Sequence, residues 1–290
     1  MIKQIIKMYW PPLLLTSLSL CSLTPVVRAA DRTDAHYKAL CVLYGLDQDR
    51  TCCFKQGALS CFKNCTATYC NRGFIDQELS IPDLGAAKTF YASHPHTLWA
   101  NKAYSTTHDL LVHNGYKKIK ECPLMKLDLA TLIKATPVDG NFSIEICNSR
   151  ESLQTWAGLI VRNNAPEDST EEQRSGIAKE IFTDYLYIQN NTPAGNVQLT
   201  LGLCNGIPVA TGRIVRSDDI VAVHNITTQR EYRRRGIGSA MTHHLLSLFK
   251  DAGAATAYLF ASELGYPVYE KLGFKTIANY EIFGVVNSEA

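Results

Sequence analysis

A charge of one sign is what this chain lacks. Lys and Arg total 29 and Asp and Glu 27 across 290 residues, a formal net charge of +2. Such a balance gives no whole-molecule field for nucleic acid or an anionic membrane, so any anion site has to be local. Long apolar runs are scarce too. The one uncharged stretch that approaches a membrane span lies between Lys7 and Arg28, which excludes a polytopic membrane protein. Charged residues are only 19% of the chain against 46% hydrophobic, a composition that buries real cores and excludes disorder as the main state. The length suggests about two domains.

What is present begins with a targeting pattern. Lys3 and Lys7 form a basic start, Leu13 to Leu23 is apolar, and Val27-Arg28-Ala29 places small residues around a cleavage site. Residues 1–29 therefore read as a signal peptide, with secreted or extracytoplasmic localisation. An uncleaved N-terminal membrane anchor is the alternative, weakened by Pro11, Pro12 and Pro25. After it, Cys41, Cys52, Cys53, Cys61, Cys65 and Cys70 crowd one short segment. An even cluster behind a signal suggests a small disulfide-stapled module over residues 30–80. Six cysteines allow 15 pairings, and sequence does not choose among them. A metal site is the weaker reading, because no Cys-x-x-Cys pair exists and no His is interleaved.

From about residue 80 the pattern turns α/β. Ile81-Pro82-Asp83 opens a helix, and a second is expected from about Asn101 to His113, stopping at Asn114-Gly115. Residues 116–128 read as extended, and Phe142, Ile144 and Ile146 as one face of a strand. Helices follow from Ser152 to Val161 and after Thr170-Glu171, the latter carrying Ile177, Ile181, Phe182 and Tyr185. Strands are expected at Val197–Leu203, Ile207–Val215 and Ile220–Thr228, the first two joined by an Asn205-Gly206 turn. A helix to about Lys250 would bury Ile237, Met241, Leu245 and Leu248; a strand at Ala257–Ala261, a short helix at Tyr266–Leu272 and a strand at Phe274–Phe283 complete the chain. Asn114-Gly115-Tyr116-Lys117-Lys118-Ile119 echoes Leu272-Gly273-Phe274-Lys275-Thr276-Ile277, which a common helix-stop pattern explains more simply than a duplication.

The most informative segment is Arg233-Arg234-Arg235-Gly236-Ile237-Gly238-Ser239, between a strand and a helix. Glycines there let the backbone bend tightly, and free N–H groups at the helix start face an anion. The segment is not a Walker A, lacking Lys-Ser/Thr after the last Gly, nor a dinucleotide fingerprint, lacking the third Gly. Together with Tyr266-Pro267-Val268-Tyr269-Glu270-Lys271-Leu272-Gly273-Phe274, this strand, loop and helix resemble the GNAT superfamily of N-acetyltransferases. The resemblance covers residues 196–283, extends in less detail over 85–195, where related bacterial proteins carry an extra lobe, and leaves out 1–80.

The resemblance implies an α/β fold with a mixed, mostly antiparallel sheet flanked by helices, preceded by the Cys-rich module. Taken with the targeting and cysteine patterns, which lie outside the resemblance, the expected divisions are 1–29 signal, 30–80 Cys-rich, 81–195 N-terminal lobe and 196–290 catalytic core. The resemblance implies acetyl-CoA as co-substrate and a primary amine, on a small molecule or a protein, as acceptor, attacked directly without an acyl-enzyme. The pyrophosphate would meet N–H groups from Arg235 through Gly236, Ile237 and Gly238 to Ser239, with Arg233 or Arg234 reaching its oxygens. The pantetheine arm would add to the strand edge at Ile226, Thr227 and Thr228. Tyr269 matches the tyrosine that protonates the departing thiolate. Ser262 stands where many relatives have an Asn touching the CoA arm. The usual strand Glu is missing, and His224 is the candidate base; His244 is expected on the core side of its helix and His243 in solvent. No nucleic-acid partner is implied, and no stable membrane span remains once a signal is cleaved. A signal and acetyl-CoA point to different compartments. Action inside another cell, a lumen supplied with acetyl-CoA, or a non-catalytic secreted binding protein that keeps the fold and engages a partner through the Cys-rich module would each reconcile them.

Overall fold

The computed structural model describes residues 51–64, 71–138, 140–165, 168–191 and 195–285. The expected signal segment, with Cys21, Cys41, Cys65, Cys70 and the side chains of Cys52 and Cys53, lies outside the described residues. The chain divides into two compact units, with boundaries at Glu121/Cys122 and Ala278/Asn279. The divisions expected at 80/81 and 195/196 come from the cysteine cluster and from the resemblance; these boundaries come from packing.

In the first unit, β1 (Thr51–Gln56), β2 (Leu59–Asn64) and β3 (Arg72–Ile75) form an antiparallel meander. Helix α1 (Ile81–Tyr91) then leads to β4 (Thr97–Asn101), parallel to β3, and α2 (Ser105–His113) leads into β5 (Tyr116–Asp128). The C-terminal part of β11 (Lys275–Val285) completes the order β1-β2-β3-β4-β11. Ser80 opens α1 with a capping box: its Oγ accepts the Asp83 N–H while the Asp83 carboxylate reaches back to the Ser80 N–H. Leu59, Cys61, Ile75, Leu84, Tyr91, Leu98 and Leu111 fill the core. The segment expected as a Cys-rich module thus contributes strands with a hydrophobic face. Cys61 is a free, buried thiol, pushed up to about 12 by burial, an effect that the Tyr91 hydrogen bond only partly offsets. The helix expected from Asn101 starts only at Ser105, because Thr97–Asn101 pairs with both β3 and β11.

In the second unit the order is β5-β10-β9-β8-β7-β6, built from the end of β5, β6 (Phe142–Ile146), β7 (Val197–Cys204), β8 (Ile207–Ser217), β9 (Ile220–Thr228) and β10 (Thr256–Phe260). Helices α3 (Arg150–Asn164), α4 (Glu171–Asn191), α5 (Ile237–Asp251) and α6 (Tyr266–Lys271) accompany it. Asn205 and Gly206 both take positive φ, +51 and +77, as the two-residue hairpin requires. Met125, Leu127, Ile214, Val221, Val223, Leu245, Leu246, Phe249 and Leu259 make the core. Two details differ from expectation. The buried stripe of α5 runs Ile237, Met241, Leu245, Leu246, Phe249, and Leu248 is exposed. The buried face centres on Leu245 and Phe249, so Ile237 lies at its edge, and Leu248, about three 3.6-residue turns on from Ile237, falls at that edge too. Ile146 is also exposed, because β6 is an edge strand whose Phe142 and Ile144 alone reach the core.

The chain runs twice through one element order: a three-stranded antiparallel meander, a helix, a strand parallel to the third, a helix and a further strand. The series are β1-β2-β3-α1-β4-α2-β5 and β7-β8-β9-α5-β10-α6-β11. The echoed glycines Gly115 and Gly273 hold the same place in both, before the last strand, with φ of +87 and +100. The weak sequence echo therefore coincides with a repeated topology.

Candidate functional site

The site lies within the second unit and starts from an irregularity in β9. Thr211 pairs with Thr227 and Arg213 with His224, so Asn225 and Ile226 together face Gly212 alone. This is a β-bulge, and Asn225 takes left-handed backbone there, φ +51. The extra residue changes which side chains face which way. Val223 packs against Leu245 and Leu246 of α5, and Ile226, three residues on, packs towards Ile237 and Met241 of the same helix. In a regular strand residues three apart face opposite sides. Gly212 permits the arrangement: a Cβ there would lie 2.9 Å from Leu245 Cδ1 and 3.1 Å from Ile226 Cδ1.

Beside the bulge, β9 and β10 part. They pair only at Ile220, Val221 and Ala222, opposite Thr256, Ala257 and Tyr258. From Val223 to Thr228, β9 pairs with β8 on one side only among the described residues. The edge so left contains Ile226, Thr227 and Thr228, the stretch expected to take the donor arm.

The glycine loop meets the end of this edge. Gly236 has φ +80 and ends the turn in which Arg234 has φ +66. Gly236 is the helix N-cap of α5 and brings no side-chain cap; the first backbone bond of the helix runs from Ala240 N–H to Gly236 O. The N–H groups of Ile237, Gly238 and Ser239 are thus the uncapped first turn of a helix, the local arrangement that favours an anion. Space is left for one: a Cβ on Gly238 would find nothing nearer than Ile226 Cγ2 at 3.9 Å and Thr228 Oγ1 at 4.0 Å. The three arginines differ. Arg233 Nε donates to Thr228 O at 3.0 Å, tying loop to strand. Arg235 donates to Glu231 O at 3.1 Å and lies over the Tyr232 ring. Arg234 is exposed and, among the described residues, makes no side-chain hydrogen bond.

Tyr269 belongs to the core of the same unit. It stands on α6, buried beside Leu272 and Phe274, with the Phe274 ring edge-on at 5.8 Å. Burial first, and the nearby Cys122 second, hold its phenol well above the ordinary tyrosine value, so it stays protonated. Gly265 lies under the ring; a Cβ there would come within 2.8 Å of Tyr269 Cε2. Ser262 has a turn role: its Oγ accepts the Gly265 N–H at 3.1 Å and its carbonyl accepts the Tyr266 N–H at 2.8 Å. Cys122 Sγ donates to Ala261 O at 3.2 Å.

His224 is half-buried on β9, opposite Arg213 and next to the bulge. His243 and His244 are both half-buried on α5, so the expected contrast between a core-side and a solvated histidine is not seen. Both are held below the usual imidazole value, chiefly by burial, with Lys134 and Lys250 adding to the shift at His243. Sequence reasoning missed the bulge and the residues that hold it, Thr211, Gly212 and Asn163. The one available signal was Thr211-Gly212 inside a strand pattern, since an isolated strand glycine marks a bulge or a close approach. Among the described residues no group of three or more His, Cys, Asp or Glu is placed to hold a metal.

A diverging strand pair, a bulge and an uncapped helix start behind a glycine turn define a GNAT-type α/β fold, with a mixed and mostly antiparallel sheet in this unit. Residues 185–276 match the family model of the acetyltransferase (GNAT) domain. Among solved structures, a GCN5-related N-acetyltransferase from Kribbella flavida is 18% identical with a TM-score of 0.62, the match covering 87% of this chain and 94% of that one. A functionally unknown conserved protein from Staphylococcus epidermidis ATCC 12228 is 12% identical with a TM-score of 0.60, covering 81% and 94%. A GCN5-related N-acetyltransferase from Sphaerobacter thermophilus is 12% identical with a TM-score of 0.56, covering 76% and 74%. At these identities the likeness is one of fold.

Proposed function

We propose that the second unit is an N-acetyltransferase that moves an acetyl group from acetyl-CoA to a primary amine by direct attack. The observation that carries this reading is the parting of β9 and β10 beside the uncapped start of α5. An extended acyl-pantetheine arm fits against the open edge at Ile226–Thr228 by main-chain hydrogen bonds. Its pyrophosphate fits the N–H groups of Ile237, Gly238 and Ser239. Arg234 is the guanidinium left over to pair with it, because Arg233 and Arg235 are engaged with backbone carbonyls.

The amine nitrogen attacks the thioester carbon, the carbon–sulfur bond breaks, and the departing thiolate takes the Tyr269 proton. The proton lost by the attacking nitrogen goes to His224, directly or through water. An N–H of β9 stabilises the oxyanion between these steps. Export remains a proposal that rests on residues 1–29 alone; no helix among the described residues is long and apolar enough to cross a membrane.

The test is calorimetric titration of the full chain with acetyl-CoA, beside Gly236→Asp. Aspartate at that position is strained by φ +80 and sets a negative charge in the anion cradle. Micromolar binding, about −8 kcal/mol, that disappears in the variant is the expected result, followed by acetyl transfer to members of an amine panel. A folded wild-type chain that binds no acetyl-CoA overturns the reading.

A further inference from the structure

The bulge in β9 is held by a set of side chains that the proposed chemistry does not use. Thr211 is fully buried on β8 and its Oγ1 donates to Asn225 O at 2.8 Å, the carbonyl of the bulged residue. The same hydroxyl lies 2.8 Å from Thr227 Oγ1. Asn163 of α3 reaches that second hydroxyl with Nδ2 at 3.3 Å and anchors itself on Leu159 O at 3.0 Å. On the facing strand, Trp156 Nε1 donates to Gly212 O at 3.2 Å. Carbonyls on both sides of the irregularity are therefore satisfied by side chains, and the irregular backbone is a buried, hydrogen-bonded conformation rather than slack.

We infer that Thr211 is a positioning residue for the donor arm: its hydroxyl holds the Asn225 bulge, and the bulge sets the face and edge that Ile226, Thr227 and Thr228 present. The inference rests on the proposed function, since it concerns the same edge. Without the bulge, β9 would continue in regular register, and Ile226 would turn away from Ile237 and Met241 while Thr227 left Asn163. A buried hydroxyl replaced by a methyl removes the donor and keeps the volume, leaving Asn225 O without its partner. Regular β9 register then becomes the competitor, and it presents the wrong edge.

Donor affinity of Thr211→Val, Thr211→Ser and wild type is the first comparison, with acetyl-CoA as titrant and the full chain as sample. The valine variant is expected to bind about tenfold more weakly, the effect of one lost buried hydrogen bond, and the serine variant to bind as wild type does. In turnover, the valine variant raises the KM for acetyl-CoA and leaves the KM for the amine unchanged, a split that general loss of structure would not produce. A second pair approaches from the other strand and serves if the valine variant does not fold. Asn225→Gly accepts φ +51 freely and is expected to bind normally, whereas a β-branched residue resists it, so Asn225→Val is expected to lose binding. Wild-type affinity in Thr211→Val, an equal loss in Thr211→Ser, or equal behaviour of both Asn225 variants overturns the inference and leaves acetyl-CoA binding in place. Absence of binding in the wild type overturns the function and the inference together.

Discussion

Tyr269 shows how one residue's surroundings prepare it for a role. A phenol in water already keeps its proton at neutral pH; burial and the adjacent Cys122 raise that threshold further. Tyr269 therefore keeps its proton across the whole working range, and its ring packs edge-on against Phe274 and close to the bare Cα of Gly265. Replacing it with phenylalanine keeps the packing and removes the proton. Tyr269→Phe is expected to bind acetyl-CoA with unchanged affinity and to lose turnover by about 10²-fold or more, the usual size of a general-acid contribution. Steady-state rates of the two proteins from pH 6 to 10 check this. Because the tyrosine value is displaced upward, the wild-type rate should show no alkaline decline from this group in that interval; unchanged turnover in the phenylalanine variant would remove Tyr269 from the chemistry.

At the scale of elements, charge anchors the first unit where sequence gave no hint of it. Glu281 of β11 is nearly buried and accepts from Lys118 Nζ at 2.6 Å and His108 Nδ1 at 2.8 Å. Burial alone would raise its carboxyl, but the hydrogen bonds from Lys118 and His108 outweigh it, and Glu281 lies below the ordinary value of 4.5. A depressed carboxylate contributes stability that is present above the unfolded value and is lost as pH falls through the folded one. The melting-temperature gap between wild type and Glu281→Gln should thus be open at pH 7 and close as pH drops below about 4.5. A gap that persists undiminished at pH 3 would assign the difference to packing. The elements of the second unit were legible from sequence, because period, caps and turn residues agree from Val197 onward. The loop Arg233–Ser239 was legible for the same reason, since glycine needs no partner to announce a positive φ. The bulge was not legible, because its cause is pairwise: Thr211 matters only once Asn225 lies opposite, and 14 residues separate them. The strands of the first unit were hidden by their cysteines, whose number suggested staples while Cys61 serves as a small apolar filler in β2.

For the whole molecule, the repeated element order raises the question of a second donor site. The first unit has the corresponding parts and lacks each feature on which the proposed site depends. Where β9 and β10 part after three residues, β3 and β4 pair throughout, from Arg72 with Thr97 to Ile75 with Ala100. Where α5 starts bare behind Gly236, α1 starts with Ser80 and Asp83 in a closed capping box. Where the loop of the second unit carries three arginines and positive φ at Arg234 and Gly236, the segment Asp76-Gln77-Glu78-Leu79-Ser80 is acidic and has no positive φ. An anion brought to α1 would meet Asp83 instead of free N–H groups, and a pantetheine arm would have to break existing pairs. The expected result is one acetyl-CoA per chain, and in Gly236→Asp none at all. The same titration that tests the function reads this in its stoichiometry. Two equivalents, or one that survives the Gly236 change, would mean that the first unit binds donor by a geometry unlike that of the second, and the repeat would then be one of topology without a shared division of labour.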